Sequence, residues 1–66
     1  MQITLNGAAY RSDAPICVAE LIARLDLAGK KLAVERNGEI VPKSEHARTA
    51  LAEGDRVEIV VAVGGG

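Results

Sequence analysis

Alternation of apolar and polar residues with a period of two marks the start of the chain. Residues 3–5 read Ile-Thr-Leu, and Asn6-Gly7 follows them directly. Asn-Gly favours a type I′ hairpin turn, because both central positions of that turn need a positive φ. The pattern therefore predicts a first strand, a tight turn and a returning strand over 8–11.

A period of 3.6 residues replaces this alternation in the next segment. Cys17 is the predicted N-cap of a helix, with a thiol where a hydroxyl or carboxylate would accept a hydrogen bond better. Gly29 is predicted to be the left-handed residue that follows the helix. The apolar face of this helix is formed by residues at i, i+3, i+4 and i+7, which are Val18, Leu21, Ile22 and Leu25.

A second hairpin is predicted after the helix. Its strands cover 32–36 and 39–41, and a second Asn-Gly joins them. Pro42 follows at once, which suits an edge strand because proline donates no hydrogen bond to a sheet. Polar residues then predict an irregular segment over 43–50 with one helical turn after Ser44.

The last predicted strand covers 56–63 and is the most apolar segment of the chain. It follows a turn in which Gly54 is expected to have a positive φ. An almost unbroken apolar run is typical of a central strand. The order strand, strand, helix, strand, strand, strand predicts an α+β fold of the β-grasp (ubiquitin-like) kind, with a mixed sheet of about five strands packed on one helix. This domain would cover 1–63, and 64–66 would be a flexible glycine tail.

Composition agrees with one small globular domain. The chain has 66 residues, of which 48% are hydrophobic and 26% charged. No apolar run approaches the roughly 20 residues of a membrane span. The first residues lack the basic and apolar regions of a signal peptide, so we expect the protein in the cytoplasm.

Charge and residue types argue against several functional classes. The net charge is −1 and Tyr10 is the one aromatic residue, so we expect neither nucleic acid nor an anionic membrane as a partner. Cys17 is the one cysteine, and His46 lies in a polar segment where we expect it to be solvated. These residues predict no metal site and no nucleophile–base pair, and therefore no enzyme.

Several short motifs together resemble the sulfur carrier proteins of thiamine biosynthesis, a family of short ubiquitin-like proteins. Each motif alone is common, but their order in so short a chain is specific. They span nearly the whole sequence: Ile3-x-Leu5-Asn6-Gly7, Val18-Ala19-Glu20-Leu21, Ala33-Val34-Glu35-x-Asn37-Gly38 with Val41-Pro42, Leu51-x-x-Gly54-Asp55-x-Val57-Glu58-Ile59, and Gly65-Gly66 at the end.

The resemblance implies a function that depends on the terminal carboxylate. In that family a ubiquitin-activating-like adenylyltransferase uses ATP to adenylate the last glycine. Sulfur from a sulfur-donating enzyme then converts the acyl group to a thiocarboxylate. Thiazole synthase takes up the sulfur. Carried onto this sequence, the attachment site is Gly66, with Gly65 and Gly64 as the tail motif. The chain would be a co-substrate of these enzymes rather than an enzyme, with no stably bound cofactor.

A partner-binding patch is predicted beside the tail. If Val57 and Ile59 face the helix, Val60 and Ala62 point to the open face of the sheet, where Ala33 joins them. The continuous apolar run also permits the opposite phase. Two other functions stay open: a related carrier, such as the usually longer small subunit of molybdopterin synthase, and a β-grasp interaction module with inert glycines.

Overall fold

The computed structural model of the protein describes residues 1–62. Within this range a mixed sheet of five strands packs on one helix, as predicted. The predicted boundary between a domain over 1–63 and a tail over 64–66 lies outside the described residues. The elements in chain order are β1 (Gln2–Leu5), β2 (Ala8–Arg11), α1 (Val18–Arg24), β3 (Leu32–Arg36), β4 (Glu39–Val41), a 3₁₀ turn (Lys43–Glu45) and β5 (Arg56–Val61).

The order of the strands in the sheet is β2-β1-β5-β3-β4. The last strand is therefore the central one, parallel to β1 and antiparallel to β3. β4 lies at an edge, in agreement with the proline that follows it. Since β5 is paired on both sides, the strand that leads to the C-terminal residues has the firmest position in the sheet.

Both Asn-Gly pairs form the predicted tight turns. The φ angles are 48° at Asn6 and 82° at Gly7, and 51° at Asn37 and 86° at Gly38. Positive φ at both central positions defines the type I′ turn, whose twist matches that of the flanking strands. The second turn pairs Arg36 with Glu39 and so fixes the register of β3 with β4.

The core lies between the helix and one face of the sheet. Two β5 side chains that alternate along the strand, Val57 and Ile59, point into it. Leu25 is half-buried against the core, and the other three residues of the predicted helix face are fully in it. The buried apolar residues are Ile3, Ile16, Val18, Leu21, Ile22, Val34, Leu51, Val57 and Ile59.

The helix ends earlier than predicted, and Gly29 is not the residue that follows it. Leu25 is the C-cap, and Asp26 has the left-handed φ of 61°. The N–H of Leu27 donates to the carbonyl of Ile22 at 3.0 Å, which is the hydrogen bond of a Schellman motif. In a continued helix Leu27 would point away from the core, at about 180° from Val18. The early end lets Leu27 pack against the core instead.

The start of the helix agrees with the prediction. Cys17 is the N-cap with an extended backbone, and its side chain makes no capping hydrogen bond. The first two helical N–H groups donate to the carbonyls of Thr49 and His46, at 2.9 and 3.0 Å. The N–H of Glu20, at N3, is the group that an N-cap hydroxyl would normally reach.

Cys17→Ser is therefore expected to stabilise the protein by about 1 kcal/mol or less, because a hydroxyl accepts the N3 hydrogen bond better than a thiol. Urea unfolding measures this difference. Cys17→Ala is the control, since it removes the thiol and adds no acceptor. Equal stability of the serine and alanine variants would contradict the capping role of this position.

Candidate functional site

The predicted attachment site, Gly66, and the tail residues Gly65 and Gly64 lie outside the described residues. The structure shows where the chain leads to them. Val61 pairs with Leu32, and the N–H of Ala62 donates to the carbonyl of Lys31 at 2.9 Å. The sheet therefore holds the chain up to Ala62, four residues before its end.

Side chains of the two turn asparagines hold β5 in place. The amide of Asn6 bonds the backbone of Ile59 in both directions: Oδ1 accepts from its N–H at 2.8 Å, and Nδ2 donates to its carbonyl at 3.2 Å. These two hydrogen bonds continue the pairing of β1 with β5 beyond Leu5, at the point where the backbone of β1 turns away from β5. Asn37 Oδ1 accepts from the N–H of Arg56 at 2.9 Å. Sequence reasoning assigned these asparagines to turns alone, because turn preference already explains them.

A buried carboxylate fixes the entry to β5. Asp55 Oδ2 accepts from Arg36 Nε at 2.7 Å and from the N–H of Ala52 at 2.8 Å, and Oδ1 accepts from Asn37 Nδ2 at 3.1 Å. Burial acts to raise the pKa of Asp55, but the hydrogen bonds from Arg36, Ala52 and Asn37 outweigh it and leave this pKa below its ordinary value. The ion pair ties β3 to the start of β5.

The open face of the sheet carries the residues of the predicted patch. Val60 is 64% exposed and pairs directly with Ala33, which is exposed as well, as is Ala62. The phase of β5 is the one predicted, with Val57 and Ile59 turned to the helix. We call Val60, Ala62 and Ala33 the open-face patch. Its role in binding a partner stays a prediction.

Sequence reasoning missed a fourth apolar residue on this face. Ile40 is also 64% exposed, and it pairs with Glu35, which in turn pairs with Glu58 of β5. Paired residues share a face, so Ile40 lies on the side of Val60. The position of Ile40 could have been predicted from the two-residue turn at Asn37-Gly38, because such a turn sets the register of its strands.

A groove lies at the end of the sheet where β5 finishes. His46 borders it and is half-buried, with Nε2 3.1 Å from the carbonyl oxygen of Val41, so the prediction of a solvated side chain was wrong. The other polar side chains around the groove are lysines. The other buried or half-buried residues of its lining, Ile22, Leu27 and Leu32, are apolar and form its floor. Its exposed rim includes Lys30, Lys31 and Lys43, and all three residues of the open-face patch also line it.

Residues 1–62 contain no cluster of three or more His, Cys, Asp or Glu side chains that could hold a metal ion. No helix in the same range is long and apolar enough to cross a membrane. The features that the described residues do offer are surfaces: the open-face patch and the groove that contains it.

A model of the ThiS family matches residues 3–66 of this chain. The chain is similar to a crystal structure of the thiamine biosynthesis protein ThiS from Geobacter metallireducens, with a TM-score of 0.84 and 33% identity over the whole of both chains. A solution structure of a thiamine biosynthesis protein from the same organism gives a TM-score of 0.82 at 33% identity and is covered over 88% of its length. This likeness confirms the β-grasp fold class.

Similar sequences occur within longer proteins. The chain is 44% identical over all its residues to a thiazole synthase of Paramagnetospirillum magneticum and 36% identical to one of Magnetococcus marinus. It spans about a fifth of the length of each of these two proteins, 20% in both cases. An uncharacterized protein of Porphyra purpurea is 30% identical and is covered over 93% of its length.

Proposed function

Since this chain belongs to the ThiS family, as the resemblance predicted, we propose that it is a sulfur carrier whose working group is the carboxylate of Gly66. The observation that carries the proposal is the family match over residues 3–66, which includes the final glycines. The position of β5 supports it. The chain is hydrogen-bonded within a central strand and as far as Ala62, so the residue at which the described chain ends has a fixed position in the sheet.

The proposed chemistry starts from an unreactive anion. An α-carboxyl group has a pKa of about 3.3–3.7, so it is ionised at neutral pH and its carbonyl carbon is a poor electrophile. A carboxylate oxygen attacks the α-phosphorus of ATP and pyrophosphate leaves, which yields an acyl adenylate. A sulfur nucleophile at the oxidation level of sulfide then attacks the carbonyl carbon. AMP leaves with the electrons of the broken bond, and a thiocarboxylate remains.

The activating enzyme supplies the catalytic groups in this proposal. It is a ubiquitin-activating-like adenylyltransferase that binds ATP, while a separate enzyme donates the sulfur. Glycines suit the substrate tail, because a backbone without Cβ atoms can enter a narrow channel and approach a nucleotide closely. At about 3.3–3.6 Å per residue, residues 64–66 reach roughly 10 Å.

Thiazole synthase is the proposed acceptor of the sulfur, in the formation of the thiazole of thiamine. Two thiazole synthases contain a segment that is similar to this whole chain, which supports a working contact between the two kinds of domain. We place the reaction in the cytoplasm, where ATP is available.

Binding the tail requires contacts with the folded body. Ordering each flexible residue costs about 1–2 kcal/mol, so ordering three glycines costs several kcal/mol. Contacts of the glycine tail alone offset little of this free energy, because glycines have no side chains. The open-face patch includes the last described residue, Ala62, and presents Val60 at 64% exposure. We propose that this patch docks the activating enzyme. Ile40 extends the apolar surface on the same face.

Val60→Asp is expected to abolish activation by the adenylyltransferase and to leave the fold intact. Charge in an apolar contact is costly, and a central apolar anchor typically contributes about 2 kcal/mol or more, so kcat/KM should fall by a factor of about 30 or more. ATP–pyrophosphate exchange measures the rate. Ala9→Asp is the matched control, because Ala9 is exposed on the same face, paired with Thr4 of β1 at the far side of the sheet. Equal rates for the two variants would contradict the docking role of the patch.

A further inference from the structure

The lysines of this protein are not spread over its surface. The chain has eight Lys and Arg residues, and all of its lysines stand at the rim of the groove beside Ala62: Lys30, Lys31 and Lys43. Three of the five arginines, Arg24, Arg36 and Arg48, each pair with a carboxylate. No ion pair found within residues 1–62 involves a lysine.

The groove combines this charge with an apolar floor. Its floor includes Leu27 and Leu32 from the helix side, and none of the acidic side chains in residues 1–62 lines it. The open-face patch forms part of the same lining, around the end of the sheet. All three lysines are exposed.

The groove lies directly at the base of the tail. The backbone carbonyl of Lys31 accepts from the N–H of Ala62, so Lys30 and Lys31 flank the last described residue. Any enzyme that takes up the tail must come close to this point. A surface that meets the groove would therefore be set in place together with the tail.

We propose that this lysine groove receives an acidic segment of the adenylyltransferase, with carboxylates at the lysines and an apolar side chain on the groove floor. The inference rests on the proposed function, since it adds the lysines around the open-face patch to the contact with the same enzyme. Charge complementarity identifies the occupant: the lysines make no ion pair within residues 1–62, and a positive rim around an apolar floor fits a protein segment that offers both features. A nucleoside triphosphate also offers negative charge and an apolar ring, and the test below distinguishes it through the KM for ATP. Nucleic acid is disfavoured by the net charge of −1 and the single aromatic residue.

The lysine charges would act on the rate at which carrier and adenylyltransferase associate and on their relative orientation. Complementary charges accelerate association and fix the register of two surfaces more than they add affinity. These effects are screened by salt, because the Debye length is about 10 Å at 0.1 M and about 3 Å at 1 M. Lysine suits such a contact, since its charge acts as a point on a flexible stem without strict geometry.

Charge reversal tests the proposal. Lys30→Glu combined with Lys31→Glu is compared with Arg11→Glu combined with Arg56→Glu, which makes the same change in net charge. Both arginines are exposed, and Arg56 begins β5, roughly 20 Å along the strand from Ala62. The parent and both variants are assayed with the adenylyltransferase of the same organism by pyrophosphate exchange, at about 0.05 M and about 0.5 M salt. Thermal unfolding followed by circular dichroism checks that each variant is folded.

The lysine variant is expected to raise the KM for the carrier about tenfold at low salt, with kcat unchanged, and most of this increase should disappear at high salt. The arginine variant should stay within about twofold of the parent. Lys30→Gln combined with Lys31→Gln should give an intermediate KM. A KM equal to that of the arginine variant, or a change in the KM for ATP in place of that for the carrier, would overturn the proposal. Failure of the proposed function would look different, because the parent itself would not be adenylated.

Discussion

Deletion of Gly66 is expected to abolish adenylation of the carrier and to leave its binding to the adenylyltransferase almost unchanged. The shortened chain still ends in a glycine carboxylate, but that carboxylate lies about 3.3–3.6 Å short of its former position. A displacement of about 1 Å at a reacting centre can cost a factor of about 100 in rate. We therefore expect a loss of at least that size in pyrophosphate exchange.

The binding measurement gives this experiment its control. The open-face patch and the lysine groove lie within residues 1–62, so titration of the labelled carrier should give a Kd close to that of the parent. A chain of full length whose terminus is amidated should likewise bind and fail to react. If the deletion retained adenylation within a few fold of the parent, the assignment to Gly66 would be wrong. An interaction module with inert glycines would show no effect of either change on its function.

Asp55→Asn is expected to destabilise the fold by about 2–3 kcal/mol. The carboxylate accepts three hydrogen bonds, from Arg36, Ala52 and Asn37, over both of its oxygens. An amide has one oxygen and one NH₂ group, so in either orientation its NH₂ faces at least one of these donors. The Arg36 side chain is 34% exposed, which screens part of the charge effect and keeps the expected loss below that for a fully buried ion pair.

This loss is large for so small a domain. Stabilities of about 0.05–0.15 kcal/mol per residue give a domain of this size only about 3–10 kcal/mol in total. Urea unfolding measures the difference, with Glu53→Gln as the control, because Glu53 lies in the same turn and accepts a hydrogen bond from an exposed backbone N–H at 3.0 Å. The control should lose less than about 1 kcal/mol. Equal losses in the two variants would contradict the role given to Asp55.

The effect of Asp55 has a defined pH dependence. Its pKa in the folded protein is below the ordinary value of 3.8, so the native carboxylate stays ionised at pH values where the unfolded chain binds a proton. The extra stability of the parent over Asp55→Asn is thus fully present above pH 3.8 and is lost as the pH falls through the lower folded pKa. Between pH 5 and 7 the difference between parent and variant should be constant.

Much of the fold follows from local patterns in the sequence. The Asn-Gly pairs specify their turns through the backbone angles that they tolerate, and those turns fix the register of both hairpins. The continuous apolar run of β5 permitted two phases, and the structure has the one on which the predicted patch was based, with Val57 and Ile59 facing the helix. The central place of β5 was predicted from its continuous apolar run.

Other features depend on contacts that local patterns do not contain. The helix ends at Arg24 because Leu27 packs into the core, and helical periodicity alone favours a longer helix. The side chain of Asn6 bonds Ile59, 53 residues away in the chain, and Asp55 bonds Arg36 across 19 residues. Such pairs become visible only once the strand order is known. The proposed attachment site at Gly66 came from family resemblance, because a terminal glycine has no local pattern that marks its chemistry.

The described part of the protein is consistent with a body that presents its terminus. Asn6, Asn37 and Asp55 all hold β5 or its entry, and the open-face patch and the lysine groove meet at its far end. The polar network thus lies at the start of β5, and the groove that contains the open-face patch lies at its other end.

The most direct test of this account is the intact mass of the carrier after co-production with its adenylyltransferase and sulfur-donating enzyme. We predict a mass increase equal to the replacement of one oxygen atom by sulfur, and peptide mapping should confine it to the C-terminal peptide that ends in Gly66. The Gly66 deletion should show no increase. An unchanged mass of the parent, or a sulfur atom located at Cys17, would contradict the claim that the terminal carboxylate is the working group.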